Sequence, residues 1–327
     1  MITLKDLQEA QERLAGIAYH TPLIRCAVPP REFCERAAEG ELWFKPESLQ
    51  PIGAFKLRGA YNHMAALPEA VRRRGVITYS SGNHAQGVAY AARALGTQAV
   101  VVMPDNAPAG KVAATRALGA EVVLVGPASA ERQARAEQLA AEHGYAIVPP
   151  YNDLKIIAGQ GTAGLEMARD LPEVELVLVP IGGGGLISGI ATAVKLAAPR
   201  ARVVGVEPAL AGDAHASLRA GRIVEFTAEQ VSATVADGLR TQHVGALNFE
   251  HIQRYVDDIV LVTEDEIRRA TGFLARRARL VAEPSGAVTT AAFLFHGAEM
   301  PRAAKTVAVI SGGNIEPALL AELVREA

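Results

Sequence analysis

Short aliphatic runs alternate along most of the chain with longer, Ala-rich stretches of helical period. The runs VITYS (76–80), AVVVMP (99–104), EVVLV (121–125), ELVLVP (175–180), ARVVGVE (201–207) and KTVAVIS (305–311) have the length and composition of strands. Residues 84–95, 109–118, 128–143, 186–198 and 264–280 read as helices. Near-continuous Val, Ile and Leu predicts strands covered on both faces, and strand–helix alternation predicts right-handed crossovers within parallel sheets. The pattern is that of an α/β protein. Thr3 with Asp6 has the spacing of a capping box, and Thr263 precedes Glu264, Asp265 and Glu266, acids that favour the positive end of a helix. The stretch VPPYNDLK (148–155) interrupts the alternation with two prolines and Asn-Asp and marks a crossing between domains.

A length of 327 residues is about twice a typical ~150-residue domain, so two domains are expected. Hydrophobic residues make up 50% and charged residues 21%, which places the chain among ordinary globular proteins rather than disordered or collagen-like ones. The 33 Lys and Arg against 35 Asp and Glu give a formal charge of −2. Such a balance creates no field to gather nucleic-acid phosphates or anionic lipid, so neither nucleic acid nor membrane is an expected partner. The opening MITLKDLQEAQERLAG lacks the apolar core of a signal peptide, and no window approaches the ~20 apolar residues of a spanning helix. A cytoplasmic location is expected. Cys26 and Cys34, separated by seven residues and without a nearby His cluster, read as a reduced structural pair rather than a zinc site.

Chemistry concentrates in ELVLVPIGGGGLISGIATAVKLA (175–197). A strand ends at Pro180, Gly182, Gly183, Gly184 and Gly185 follow, and a helix begins near Leu186. Four residues without Cβ let the backbone approach a ligand, and successive N–H groups at a helix start form a phosphate cup. The alternative is a tight turn that needs small residues for packing. The run lacks the Lys-Ser/Thr ending of a P-loop and does not fit G-x-G-x-x-G. Lys56 follows Gly53 and Ala54 at an apparent helix start. A lysine in an apolar, restricted setting loses its proton more easily and can act as a Schiff-base amine; a solvated helix-start lysine is the other reading. After strand 201–207, Glu207, the Ala211 carbonyl and Asp213 offer two carboxylates and a backbone oxygen to a hard cation, or else Asp213 simply caps a helix.

The segments GAFKLRGA (53–60), SSGNHAQG (80–87), GGGGL (182–186) and SGGN (311–314) occur in the order found in fold-type II pyridoxal-phosphate enzymes. Together with IAGQGTAGLE (157–166), VGVEP (204–208) and VADGLRT (235–241), they make the chain resemble the threonine/serine dehydratase and serine racemase family from about Thr21 to Asn314. The resemblance implies two open, twisted, mostly parallel-sheet domains with helices on both faces. Residues 1–60 and 150–327 would form the larger domain and 61–149 a smaller, mobile one, with pyridoxal 5'-phosphate in the crevice between them.

Carried onto this sequence, the resemblance makes Lys56 the lysine that bears the cofactor and the base that removes the substrate α-proton, with Phe55 in its motif. Asn83 would hydrogen-bond the pyridine 3-oxygen, Gly182, Gly183, Gly184, Gly185 and Leu186 would hold the phosphate, and Ser311 would face the pyridine nitrogen. Ser80, Ser81, Gly82, Asn83 and His84 would bind the substrate carboxylate, although Ser81 or Asn83 could instead cap the helix that follows. In racemases the position of Ser81 supplies a hydroxyl that reprotonates Cα from the opposite face. Glu207, Ala211 and Asp213 would hold Mg²⁺, Ca²⁺ or Mn²⁺.

Asp237 and Gly238 either line the cleft or form an ordinary turn. Glu283 either faces the cofactor or caps the helix after Pro284, and Arg132 is expected in solvent rather than on substrate. Ala54 stands where the family usually has Ser. The implied reaction is dehydration and deamination of L-threonine, and of L-serine, to 2-oxobutanoate or pyruvate and ammonia. Serine racemase and 3-hydroxyaspartate dehydratase are alternatives on the same scaffold, and a non-catalytic phosphate-ligand binding protein is a more distant one. A homodimer or higher homo-oligomer is implied. One helix (315–326) after SGGN predicts no regulatory domain, and hence no feedback by isoleucine.

Overall fold

The aliphatic runs fold into the strands of two sheets. The computed structural model describes residues 1–27, 30–80, 82–107, 109–126 and 129–326. Among them the strands are β1 (Ile24–Arg25), β2 (Glu41–Pro46), β3 (Val76–Tyr79), β4 (Ala99–Pro104), β5 (Glu121–Val125), β6 (Ala146–Ile147), β7 (Leu176–Pro180), β8 (Arg202–Pro208), β9 (Asp258–Val262) and β10 (Lys305–Ile310). The six expected strands are β3, β4, β5, β7, β8 and β10, each within a residue or two of its predicted bounds. A six-stranded sheet runs β1-β2-β10-β7-β8-β9, parallel except for the β1–β2 pair, and a four-stranded parallel sheet runs β5-β4-β3-β6.

Both sheets are covered on both faces, as the strand composition demands. In β7, Leu176 and Leu178 pack with Val288 and Phe293 of helix Pro284–Phe295, while Val177 and Val179 pack with Ile187 and Ile190 of helix Gly185–Ala197. The two-residue period of a strand separates the layers. In the smaller sheet, Val101 and Met103 meet Met64 and Val88 from helices Lys56–Ala66 and Asn83–Ala94. Val100 and Val102 meet Ala136 and Leu139 from helix Ser129–His143. β5, an edge strand with one neighbour, is correspondingly less buried.

Helix Leu154–Asp170 lies at the centre, starting at Asp153, whose carboxylate accepts from the N–H groups of Lys155 and Ile156. The segment 148–153 leads into it from β6 of the four-stranded sheet. Its glycines are contact residues: a Cβ on Gly189 of the neighbouring helix would lie 2.4 Å from the nitrogen of Gly161, so the two backbones touch. Thr3 and Thr263 form the expected capping boxes, with Asp6 and Glu266. The helix predicted over 264–280 is regular only as Glu264–Phe273; it widens into a π-helical turn at Leu274–Ala278 and ends at Arg279, the left-handed residue there. Cys26 and Cys34 carry no disulfide. Among the described residues no helix is long and apolar enough to cross a membrane.

Candidate active site

Parallel strands bring their carboxyl ends to one edge of a sheet, where open α/β folds place ligands. The turn after β10 meets the turn before helix Lys56–Ala66 here. Ala54 forms a β-bridge with Gly312, and the N–H of Phe55 donates to the Ser311 carbonyl at 3.0 Å. Lys56 is thereby the first residue of its helix and stands beside the glycine run that follows β7. A cleft of about 210 Å³ opens between these segments and the start of helix Asn83–Ala94. Phe55, Lys56, Ser80, Gly82, Asn83 and His84 line it, and so do Gly182 through Leu186 and Ser311. Ser81 lies outside the described residues.

The Lys56 amine donates to the Pro150 carbonyl at 2.7 Å, and burial lowers its pKa to about 8. Desolvation disfavours the ammonium form, so a substantial fraction is neutral near physiological pH. The solvated reading of Lys56 therefore falls away. His84 is buried, with Nε2 3.0 Å from the Val148 carbonyl; burial, then the nearby Lys56 charge, push its pKa down to about 3. It is a neutral ring. Asn83 is doubly anchored: Nδ2 donates to Glu283 at 2.7 Å, and Oδ1 accepts from Asn314 at 2.8 Å. Gly82 occupies the N-cap without a side-chain cap, so Asn83 does not take the capping role considered for it.

Gly184 has φ 92°, and a Cβ on Gly183 would sit 2.3 Å from the Tyr151 ring, so turn geometry and packing both require glycine. The ligand reading gains from a separate fact. Among the described residues, no backbone hydrogen bond uses the N–H groups of Gly182 through Leu186, which remain available at the start of helix Gly185–Ala197. The Ser311 hydroxyl is buried and makes only a long contact, 3.4 Å, to the Ser285 carbonyl. An amine of lowered pKa, a nest of unused donors and a neutral hydroxyl together fit the aldehyde, phosphate and ring of pyridoxal phosphate.

Asp237 and Gly238 do both things considered for them: they line the cleft and open the short turn Asp237–Leu239. Glu283 holds the N-cap position of Pro284–Phe295 but makes no side-chain cap hydrogen bond; it lines the cleft instead. Burial, then the charge of Asp237, push its pKa up to about 7. Arg132 is not part of the cleft lining, as expected of a residue away from substrate, but it is half-buried rather than fully solvated, and burial lowers its pKa. The sequence had not singled out Pro150, Tyr151, Lys111 or Thr241 as site residues, yet all four line the cleft. Tyr151, pushed up to about 12 chiefly by burial, fills the space beside Gly183. Its only signal was an aromatic in the Pro-rich crossing segment.

Glu207, Ala211 and Asp213 are buried beyond the cleft, where β8 ends. The Glu207 oxygens accept from the N–H groups of Ala214 at 3.0 Å and His215 at 2.7 Å. Asp213 caps nothing, since Gly212 is the N-cap, and neither of its carboxylate oxygens has a hydrogen-bond partner. Burial, then mutual repulsion with Asp213, hold Glu207 well above the usual carboxylate range, and burial pushes Asp213 up to about 7. The buried Asp213 carboxylate, without a hydrogen-bond partner, calls for a counter-charge, and two carboxylates with a backbone carbonyl are the donor types of a hard cation. Among the described residues, no group of three or more His, Cys, Asp or Glu side chains gathers around a common point.

Comparison with known proteins agrees with this geometry. An L-threonine ammonia-lyase of Thermotoga maritima is 44% identical over 328 residues, covering 100% of this chain and 79% of that protein. The catabolic L-threonine dehydratase TdcB of Escherichia coli K12 is 42% identical, covering 96% and 94%. An L-threo-3-hydroxyaspartate ammonia-lyase of Saccharomyces cerevisiae is 38% identical, covering 98% and 96%. Among solved structures, a T.th. threonine deaminase superposes with a TM-score of 0.88 at 42% identity, covering 96% of this chain and 99% of that one. Serine racemase from Dictyostelium discoideum gives a TM-score of 0.88 at 36% identity, covering 96% and 99%. Residues 15–312 match the family described as pyridoxal-phosphate dependent enzyme. The chain belongs to that family.

Proposed function

We propose that this enzyme dehydrates and deaminates L-threonine, and L-serine, to 2-oxobutanoate or pyruvate and ammonia. The observation that carries the reading is Lys56: an amine lowered to about 8, held by the Pro150 carbonyl, in one cleft with the unused N–H groups of Gly182 through Leu186. Relatives named for threonine support the substrate. Pyridoxal phosphate bound here supplies an electron sink for the pair left when the Cα–H bond breaks. Lys56 Nζ holds the cofactor at rest and takes the α-proton during turnover. The N–H groups of Gly182 to Leu186 bind the phosphate. Phe55 flanks Lys56, with Nζ 5.3 Å from its ring centre. Asn83, fixed by Glu283 and Asn314, presents its amide to the 3-oxygen, and Ser311 gives the ring nitrogen a neutral partner.

The turn Ser80, Ser81, Gly82, Asn83, His84 binds the substrate carboxylate at the positive end of helix Asn83–Ala94, with no charge from His84. The β-hydroxyl leaves as water, the net proton being the one lost from Cα and the electron pair of the Cα–H bond forming the Cα=Cβ bond; the resulting enamine becomes an imine and hydrolyses with one water to the 2-oxo acid and ammonia. Serine racemization, with Ser81 as the second acid, is the alternative favoured by the likeness to the Dictyostelium structure. The yeast relative keeps 3-hydroxyaspartate open. Ammonia release from L-threonine, L-serine and L-threo-3-hydroxyaspartate, measured side by side, ranks the substrates, with L-threonine expected first. Borohydride reduction should label Lys56, and Lys56→Ala should lose activity by ~10³-fold or more. Undiminished elimination by Lys56→Ala would overturn the mechanism, and D-serine forming as fast as pyruvate would reverse the ranking.

Further assignments complete the proposal. Residues 61–149 form a smaller mobile domain against 1–60 together with 150–327, supported by the separate four-stranded sheet of β3 to β6. Mg²⁺, Ca²⁺ or Mn²⁺ binds Glu207, the Ala211 carbonyl and Asp213, supported by the partnerless Asp213 oxygens. The near-neutral charge supports a cytoplasmic enzyme, and the family likeness supports a homodimer or higher homo-oligomer.

A further inference from the structure

We propose that the ion pair between Lys111 and Asp237 is a clasp that closes the cleft over the bound amino acid, making both residues positioning residues for the reaction. The inference rests on the substrate reading above. Lys111 belongs to helix Ala109–Ala117, whose Val112 packs into the core of the four-stranded sheet. Asp237 opens the turn Asp237–Leu239, whose Leu239 packs into the core of the six-stranded sheet. The pair therefore ties one sheet to the other, across 126 positions of sequence, and both members line the cleft.

Each end is fastened to the reacting region. The N–H of Gly238, next to Asp237, donates to the Ser285 hydroxyl at 2.8 Å, and Ser285 lines the cleft beside Ser311. Lys111's helix packs on helix Asn83–Ala94, whose first turn carries the proposed carboxylate-binding N–H groups. Asn83 makes a second link between the same two parts through Glu283 and Asn314. Gly87 seats helix Asn83–Ala94 on the Lys56 backbone, and the two links at different points of one cleft hold the first turn of that helix towards the opposite wall; with one of them gone, that first turn is held less firmly.

The Lys111 side chain is 19% exposed and that of Asp237 42%, so the pair sits at the mouth, where salt reaches it. A half-exposed pair is worth little by itself, and Lys111→Ala or Asp237→Ala should raise the KM for L-threonine about three- to fivefold, with a smaller loss in kcat. The wild-type KM should climb with ionic strength, and the variants should lose most of that dependence. Amide hydrogen exchange of the holoenzyme should quicken in helices 83–94 and 109–117 in both variants. Lys111→Arg, and the exchanged pair Lys111→Asp with Asp237→Lys, should restore KM and protection towards wild type.

Unchanged KM and exchange in both alanine variants would overturn the clasp, as would an exchanged pair no better than either single variant. Failure of the substrate reading is separately visible. A wild type that releases no ammonia from any of the three amino acids would sink that reading, while the exchange comparison would still decide whether the pair closes the cleft.

Discussion

Burial acts on Lys56 and Glu283 in the same direction, towards neutrality, and so gives the cleft an amine ready to accept a proton and an acid slow to lose one. Glu283 has a folded-state pKa of about 7, above the ordinary carboxylate value. The native state then holds more protons than the unfolded chain between those two values. The contribution of this group to stability is full below the unfolded pKa and is lost as pH rises through about 7. Glu283→Gln keeps an oxygen for Asn83 and removes the charge. Thermal melts should show it stabilised by about 1–3 kcal/mol at pH 8 and little changed at pH 5; an equal shift at both would refute the assignment. Residues with family motifs, Lys56, Asn83 and Ser311 among them, were legible in the sequence. Tyr151 was not, because its place against Gly183 is a contact 32 positions away that no local spacing encodes.

At the scale of elements, the helix carrying Lys56 is held from behind by a buried ionic cluster. Arg58, two residues on, donates to both oxygens of Glu47 and both of Glu166, and Lys45 joins Glu166. These residues are all buried. Arg58→Leu would leave Glu47 without its cation and Glu166 with Lys45 alone, and should cost about 3–5 kcal/mol in urea unfolding. A loss below about 1 kcal/mol would mean that the helix start is set by packing alone. The same buried charge explains why one strand is hard to read from the sequence: in β2, ELWFKP, Lys45 breaks the aliphatic run although it is fully enclosed. β9 is obscured by Asp258 at its start and Asp257 just before it. Helix Leu154–Asp170 shows no apolar stripe because Ile156 through Gly164 are buried on every side, with glycines where other backbones touch. The strands covered on both faces were the readable part, since their composition alone distinguishes them.

For the molecule as a whole, the proposed cation would bind folded but not unfolded chain and so add to stability by mass action. Chelation by EDTA should lower the melting temperature by ~5 °C if the ion is bound at about 100 times its dissociation constant. Mg²⁺, Ca²⁺ or Mn²⁺ should restore it, whereas melting indifferent to both treatments would remove the site at Glu207, Ala211 and Asp213. The pairing of β2 along the full length of β10, with Ala54 bridged to Gly312, also dictates an order of events in biosynthesis. When the ribosome adds residue 56, the strand that will fix it still begins 249 codons downstream. A nascent chain can build its four-stranded sheet early, but it has no place to capture the vitamin until almost all of the polypeptide has emerged.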